Sequence, residues 1–391
     1  MNKIARITVV SILGSCTAFI GCGEPSYLGK PVATSATNYL ALAQATHQYT
    51  VANLLTTYGS YAIEPGNQQS DAWYNGSQIW ADAAMVNVEG DQTYTPYMNA
   101  TYTFMGGMWD VSSSTGGYFA AANTNGQNPG GGQYVDDNSL IGLAYLEAYT
   151  ATNNISYLYS AESIAGWLMN SGQWDYTLGG GFWWNTDKTL KPTQSNGLAM
   201  ELFLKLYQTT GASYYESWAQ SVDTWLEANM YNSANGLYNW EILSNGQLQS
   251  TQFTYDNAIM IEAFLVYAQV VGDKTYLTKA ETLATNLNKV LFIPATGVYQ
   301  FNTGDARVNP TWCGWASQAM VRLYQADNNA SWLAYAKSNI DFINSYMRNP
   351  NTGAYYQYAN VDGTGVTSDI EMVDQAWMQR VQTLYAPYST Q

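Results

Sequence analysis

The stretch "FTYDNAIMIEAFLVYAQVVG" (253–272), followed directly by "DKTYLTKAETLATNLNKVL" (273–291), decides the fold. The first piece is apolar on nearly every face. The second carries Lys274, Lys279, Glu281 and Lys289 on one side. A helix that is apolar all round is buried, whereas a one-sided helix lies at a surface. The two pieces therefore read as an inner helix followed by an outer one.

The same pattern recurs along the chain. "YVDDNSLIGLAYLEAY" (134–149), "PTQSNGLAMELFLKLY" (192–207) and "TWCGWASQAMVRLYQA" (311–326) align with it. With Asn138, Asn196, Asn257 and Trp315 as reference positions, the gaps are 58, 61 and 58 residues. "AWYNGSQIWADAAM" around Asn75 precedes the set and "EMVDQAWMQRVQTLY" around Asp374 follows it, which makes six units. A second marker, a glycine followed by aromatic residues, recurs between them at Gly116, Gly180, Gly236, Gly297 and Gly353. With "ATNYLALAQATHQYTVANLL" (36–55) as the first outer helix, twelve helices form six hairpins. This predicts an all-α fold, a closed six-hairpin α/α toroid barrel spanning 36–391 as one domain. The rival is an open solenoid, but terminal repeats with a polar outer face are not evident. In a closed toroid the inner helices start at one rim. Asp136, Asp137, Asn196, Asp256, Asn257, Trp312, Trp315 and Asp374 are then expected in one cleft.

Composition narrows the ligand. Of the 391 residues, 47% are hydrophobic and 15% aromatic, with 33 Tyr and 14 Trp, and only 11% are charged. That excludes a disordered chain. The net charge of −15 argues against nucleic acid and anionic substrates. A neutral, hydroxyl-rich ligand resting on aromatic faces fits better. Residues 1–22 read as a signal peptide, with Lys3 and Arg6 ahead of the apolar "ITVVSILGSCTAFIG" (7–21). "FIGCGEPS" (19–26) resembles a bacterial lipoprotein processing site with Cys22 as the lipidated residue. Processing at Cys16 and an ordinary signal peptide are the alternatives. Residues 23–35 read as a linker, and a secreted or cell-surface protein, lipid-anchored in the lipoprotein case, is expected. Cys16, Cys22 and Cys313 leave no structural disulfide after such processing, and Cys313 reads as a small buried residue. A single His47 excludes a usual zinc site and a His-based nucleophile triad. No metal or organic cofactor is implied.

Asp136 and Asp137 stand side by side at a helix start. Such residues favour helix N-termini, so capping is one reading. Capping needs only one such residue, however, and "QSNGL" and "YDNAI" manage with less. The other reading is glycoside hydrolysis, which uses one carboxylic acid to protonate the leaving oxygen and a second carboxylate across the sugar ring. Close like charges raise one pKa and keep a proton available near neutrality. The metal-binding Asp motif of terpene cyclases lacks its third acid here. A sugar epimerase on this toroid is expected to use His, and His47 is far from the rim-forming segments.

The order "YVDDNSLIGLAYLEAY", "GGGFWWN" (179–185), "KPTQSNGLAMELFLKLYQTTG" (191–211) and "FTYDNAIMIEAFLVYAQVVGD" (253–273) resembles glycoside hydrolase family seventy-six. The resemblance covers most of the chain after about residue 36. It implies an endo-acting α-1,6-mannanase on a six-hairpin α/α barrel, with mannan as the substrate. Position by position it makes Asp136 the nucleophile and Asp137 the general acid/base of a retaining mechanism. It places Trp183 and Trp184 at sugar subsites, where packing behind the glycine turn is the alternative. Tyr134, Asn196, Tyr255, Asp256 and Asn257, with Trp73 and Trp312, complete the expected sugar contacts. Two departures stand out. Leu140 occupies a position where the family has Trp, and Tyr255-Asp256-Asn257-Ala258 replaces Tyr-Asn-Gln-Gly. A glycan-binding protein without turnover and a cell-wall mannan transglycosylase are the rival readings. The sequons at Asn75, Asn99, Asn154 and Asn329 matter only in a eukaryotic host.

Overall fold

The computed structural model describes residues 37–390. The expected signal peptide, the linker and Cys16 and Cys22 lie outside the described residues. Twelve α-helices are present among them: α1 (Tyr39–Asn53), α2 (Ala72–Glu89), α3 (Thr95–Gly106), α4 (Val135–Thr152), α5 (Ile155–Asn170), α6 (Thr193–Thr210), α7 (Ser213–Asn229), α8 (Thr254–Val271), α9 (Lys274–Leu291), α10 (Pro310–Asp327), α11 (Ala330–Tyr346) and α12 (Met372–Tyr385). The even-numbered helices form the inner ring. Each packs on the next, and α12 packs back on α2, which closes the toroid. Glycines let this ring contract: a Cβ on Gly142 of α4 would lie 2.7 Å from Leu202 of α6, and one on Gly76 of α2 would lie 2.9 Å from Ile141 of α4. The odd-numbered helices pack outside, and α9 buries only the stripe Ala280, Leu283, Ala284, Leu287, Asn288 and Leu291.

Two kinds of connection alternate. Each of the first five inner helices ends on a left-handed residue: Gly90, Asn153, Gly211, Gly272 or Asn328. Only glycine and asparagine adopt that conformation readily. In four of the five turns the next residue accepts a backbone N–H two positions on: Asp91, Asn154, Asp273 and Asn329. At this rim the chain therefore reverses in two residues at four of these turns, and between α2 and α3 in five, through the 3-10 turn Gln92–Tyr94. Sequons Asn154 and Asn329 are such caps, while Asn99 accepts the Tyr157 hydroxyl. At the opposite rim the connections are long and form small antiparallel pairings, Gln69–Asp71 with Ala121–Asn123, Leu190–Pro192 with Glu241–Leu243, and Arg307–Val308 with Ala359–Asn360.

The recurring amide is a structural clasp. Asn138, the fourth residue of α4, accepts the Tyr118 N–H and donates to the carbonyls of Tyr118 and Tyr134. Asn196 does the same with Phe182 and Pro192. Asn257 does so with Tyr238 and Phe253. Each side chain thus ties a residue midway along the long connection to the residue one turn before it at the helix start, and the aromatic markers in the sequence are the clasped midway residues. Asn75 takes the Tyr61 N–H and donates to the Asp71 carbonyl. Two alignment positions need correcting. In the last hairpin the clasp is Gln375, on Tyr355 and Glu371, and not Asp374. In the fifth the position falls on Cys313 and not Trp315: its thiol donates to the Tyr299 carbonyl at 3.1 Å, while the Tyr299 N–H goes to Asn339 of α11. Trp315 lies two residues on, inside the barrel against Trp377 and Trp80, and takes no part in the cleft.

Candidate active site

The site is built where α4 begins. Backbone bonds from Ala120 and Ala121 hold the carbonyls of Gly132 and Gly130, and the next residues turn into the helix. Tyr134 is the N-cap residue but makes no side-chain cap. The Val135 N–H instead donates to the Trp184 carbonyl at 2.8 Å, which joins this helix start to the next aromatic marker. That contact delivers the Trp184 side chain. Its indole N–H reaches both oxygens of Asp136, at 3.1 and 3.0 Å, and its ring packs 4.8 Å from that of Tyr134. The Asp137 N–H adds a third bond to Asp136 at 3.2 Å.

The two neighbouring carboxyls differ in environment. Burial pushes Asp136 up to about 6, with the Trp184 bond and the backbone N–H groups pulling the other way because they favour its charged form. Asp137 has no such donor. Burial first, then the charges of Asp136 and Asp71, hold it well above the ordinary carboxylate range. Of the two, Asp136 is the carboxyl whose charged form is hydrogen-bonded and oriented, and Asp137 the one whose neutral form its surroundings favour. Neither Asp stands at the N-cap position, which is Tyr134; Asp136 accepts a first-turn N–H, and Asp137 makes no such bond, so capping leaves Asp137 unexplained.

Further groups surround the pair. Trp73, Trp312 and Tyr255 form a run of rings with centroids 6.1 and 4.7 Å apart, continued by Phe253 and Trp240. Asp256 is fully buried, and neither of its oxygens has a protein partner. Burial, Glu241 and Asp136 push its pKa far up. Asp374 accepts from the Thr311 N–H and hydroxyl at 3.1 and 2.7 Å. No Lys or Arg among the described residues forms an ion pair with Asp71, Asp136, Asp137, Asp256 or Asp374.

Tyr134, Asp136, Asp137, Trp184, Tyr255, Asp256, Trp73 and Trp312 therefore gather at one mouth. Three expected sugar contacts do not. Asn196 and Asn257 spend their amides on the clasps. Trp183 donates its indole N–H to Asp175 at 2.7 Å and lies under Lys191, 4.4 Å from the ring centroid, so it packs behind the turn. Alternation along the strand-like "WW" explains why only one of the two Trp faces the Asp pair. Asp71, Glu241 and Trp240 escaped the sequence reading. Glu241 and Trp240 belong to the marker "GLYNWE", whose acid gave the available signal. Asp71 precedes the aligned segments and gave none.

A closed six-hairpin toroid with paired carboxylates and a run of aromatic rings at one mouth defines the class of carbohydrate-active α/α-toroid proteins. The sequence matches the description "Glycosyl hydrolase family 76" over residues 39–300, and the chain belongs to that family. No curated protein sequence matches it. Among solved structures it is similar to a family 76 α-mannanase from Bacteroides thetaiotaomicron, with TM-score 0.79, 18% identity and coverage of 90% of this chain and 96% of the other. It is also similar to the α-1,6-mannanase of Salegentibacter sp. HEL1_6, with TM-score 0.72, 20% identity and coverage of 90% and 99%. An inactive variant of that enzyme, with two adjacent aspartates replaced by asparagine, is bound to α-1,6-mannotriose (TM-score 0.73, 18% identity, coverage 89% and 99%). The toroid is shared more widely. Cellobiose 2-epimerase from Bacillus thermoamylovorans B4167 matches at TM-score 0.73 and 13% identity, covering 88% of this chain and 98% of that one.

Proposed function

We propose that this glycoside hydrolase cleaves internal α-1,6-mannosidic bonds of mannan with retention of anomeric configuration. The observation that carries the reading is the unequal pair at the start of α4: Asp136 oriented by the Trp184 indole, and Asp137 beside it without such a donor, in surroundings that favour its neutral form. In this mechanism a carboxylate oxygen of Asp136 attacks the anomeric carbon as the glycosidic bond breaks, and Asp137 passes its proton to the leaving oxygen. Asp137, now a base, takes a proton from water. The resulting hydroxide equivalent displaces Asp136, which leaves as a carboxylate. The aromatic run from Trp73 to Trp240 offers faces for sugar rings, and unpartnered Asp256 offers a hydrogen-bonding group for a hydroxyl. Support for the linkage comes from family membership and from the α-1,6-mannotriose bound by the similar enzyme. Against an epimerase, the single His47 is on outer helix α1, paired with Asp82 at 3.0 Å, away from this mouth. The lipoprotein-like start adds a cell-surface location, which Cys22→Ala tests by releasing the protein from the membrane fraction.

The test is oligosaccharide release from unbranched α-1,6-mannan, with the anomer of the first product read by NMR. Wild type should release the α-anomer. Asp137→Asn should lose roughly 10²–10⁴-fold in rate, and Asp136→Asn should fall to background, both melting no lower than wild type. Release of the β-anomer would overturn retention. Undiminished rates in both variants would remove the pair from the chemistry.

A further inference from the structure

Asp71 is the residue the catalytic reading leaves unused. It closes the strand Gln69–Asp71 and precedes α2, where its carboxylate accepts the Tyr74 N–H at a long 3.3 Å. Two features carry it toward α4. Its strand pairs with Ala121–Asn123, with Asp71 opposite Ala121, and that strand bonds through Ala120 and Ala121 to Gly132 and Gly130, just ahead of the Asp pair. Close packing of α2 on α4 at Gly76 and Ile141 brings the two helix starts together. Asp71 is only partly exposed, as is Asp137.

We propose that Asp71, brought beside the start of α4 by this pairing and packing, is a positioning residue that keeps the proton on Asp137 and so sets the alkaline limit of activity. This rests on the reading of Asp137 as the acid. Other groups around Asp71 are Tyr74 on its own helix, whose hydroxyl donates to Glu371 at 3.0 Å, Glu371 itself ahead of α12, and Asp136 on α4. None of them supplies a cation. Burial first, with Asp136 and Glu371 adding to it, pushes Asp71 up to about 7. Its charge thus builds through neutrality, the range in which it opposes loss of the Asp137 proton. Removing that charge lets Asp137 ionise at lower pH.

The test compares wild type with Asp71→Ser and Asp71→Asn, both of which retain a group able to cap α2. On α-1,6-mannan the alkaline limb of kcat/KM should move down by about one pH unit, the size of a charge–charge effect across several ångströms of half-buried protein. The acid limb, set by Asp136, should stay in place. Asp71→Glu should restore much of the alkaline limb. A uniform loss at all pH values, or two unmoved limbs, would overturn the proposal. Carboxyl titration followed by ¹³C NMR without substrate separates the two readings. If wild type cleaves no mannan, the catalytic reading falls. In that case the role of Asp71 is read from the titration alone, and an Asp137 midpoint equal in wild type and Asp71→Ser overturns it.

Discussion

The same inner helices carry acidic groups at their starts and again near their middles, and among them one, Glu147, is treated differently from the rest. In mid-barrel, Glu147 is bound by Arg380 at 2.8 and 3.1 Å and by the Trp80 indole N–H at 2.6 Å. Arg380 also donates to Gln318, which donates to Glu262. Burial works to raise the Glu147 carboxyl, but Arg380, with Arg322 and Lys205 adding to it, more than offsets this, and the group sits below its ordinary value. At the mouth, Asp136, Asp137, Asp256 and Asp374 all sit above theirs. Glu147 is given a guanidinium, whereas Glu201 and Glu262 nearby, held by Lys205 and the Gln318 amide, stay above their ordinary values. The carboxyls facing the cleft have no Lys or Arg ion-pair partner among the described residues, and burial favours their neutral forms. A proton leaves and returns, which is what acid–base chemistry requires.

The largest effect should come from breaking the paired side. Arg380→Gln strands a buried Glu147, and we expect a loss of about 3–5 kcal/mol, seen as a lower denaturation midpoint at neutral pH. The unpaired side should respond with the opposite sign. Folding lifts Asp136 from 3.8 to about 6, so the native state holds the extra proton. Its neutral form is favoured at low pH, and stability is lost as pH rises from about 4 through about 6. A rise of that size corresponds to about 3 kcal/mol. Asp136→Asn should therefore melt higher than wild type at pH 8 by up to that amount, with the gain vanishing near pH 4. An equal gain at both pH values would show that burial is not its source. The smallest effect belongs to Trp184→Phe, which removes the indole N–H bonds to the ionised form of Asp136. The acid limb of the activity profile should move up by about one pH unit, read from kcat/KM between pH 4 and 7.

The six-hairpin ring was legible because apolar-all-round and one-sided helices alternate at a fixed period, and tertiary packing needs only that alternation. The Asp pair was legible because one unit carries a carboxylate that the others lack. Asn196 and Asn257 were misread for a physical reason. A polar residue in the first turn of a buried helix serves a ligand or the backbone equally well, and its recurrence in most units was the sign of the backbone role. Asp71 was out of reach because what brings it to Asp137 is strand pairing and a glycine contact between helices, and neither is written in its own neighbourhood.

The clasps have a consequence for how this mouth can vary. Asn257 bonds the residues at both feet of the segment 239–252, and Asn138 those of 119–133. A segment tied at its base is a closed ring whose interior can lengthen at little entropic cost, since closure cost grows only with the logarithm of length. Such segments behave as interchangeable inserts on a fixed socket. Exchanging one between toroids of this kind, with its clasping amide kept, should change the depth and grip of the cleft while the barrel folds as before.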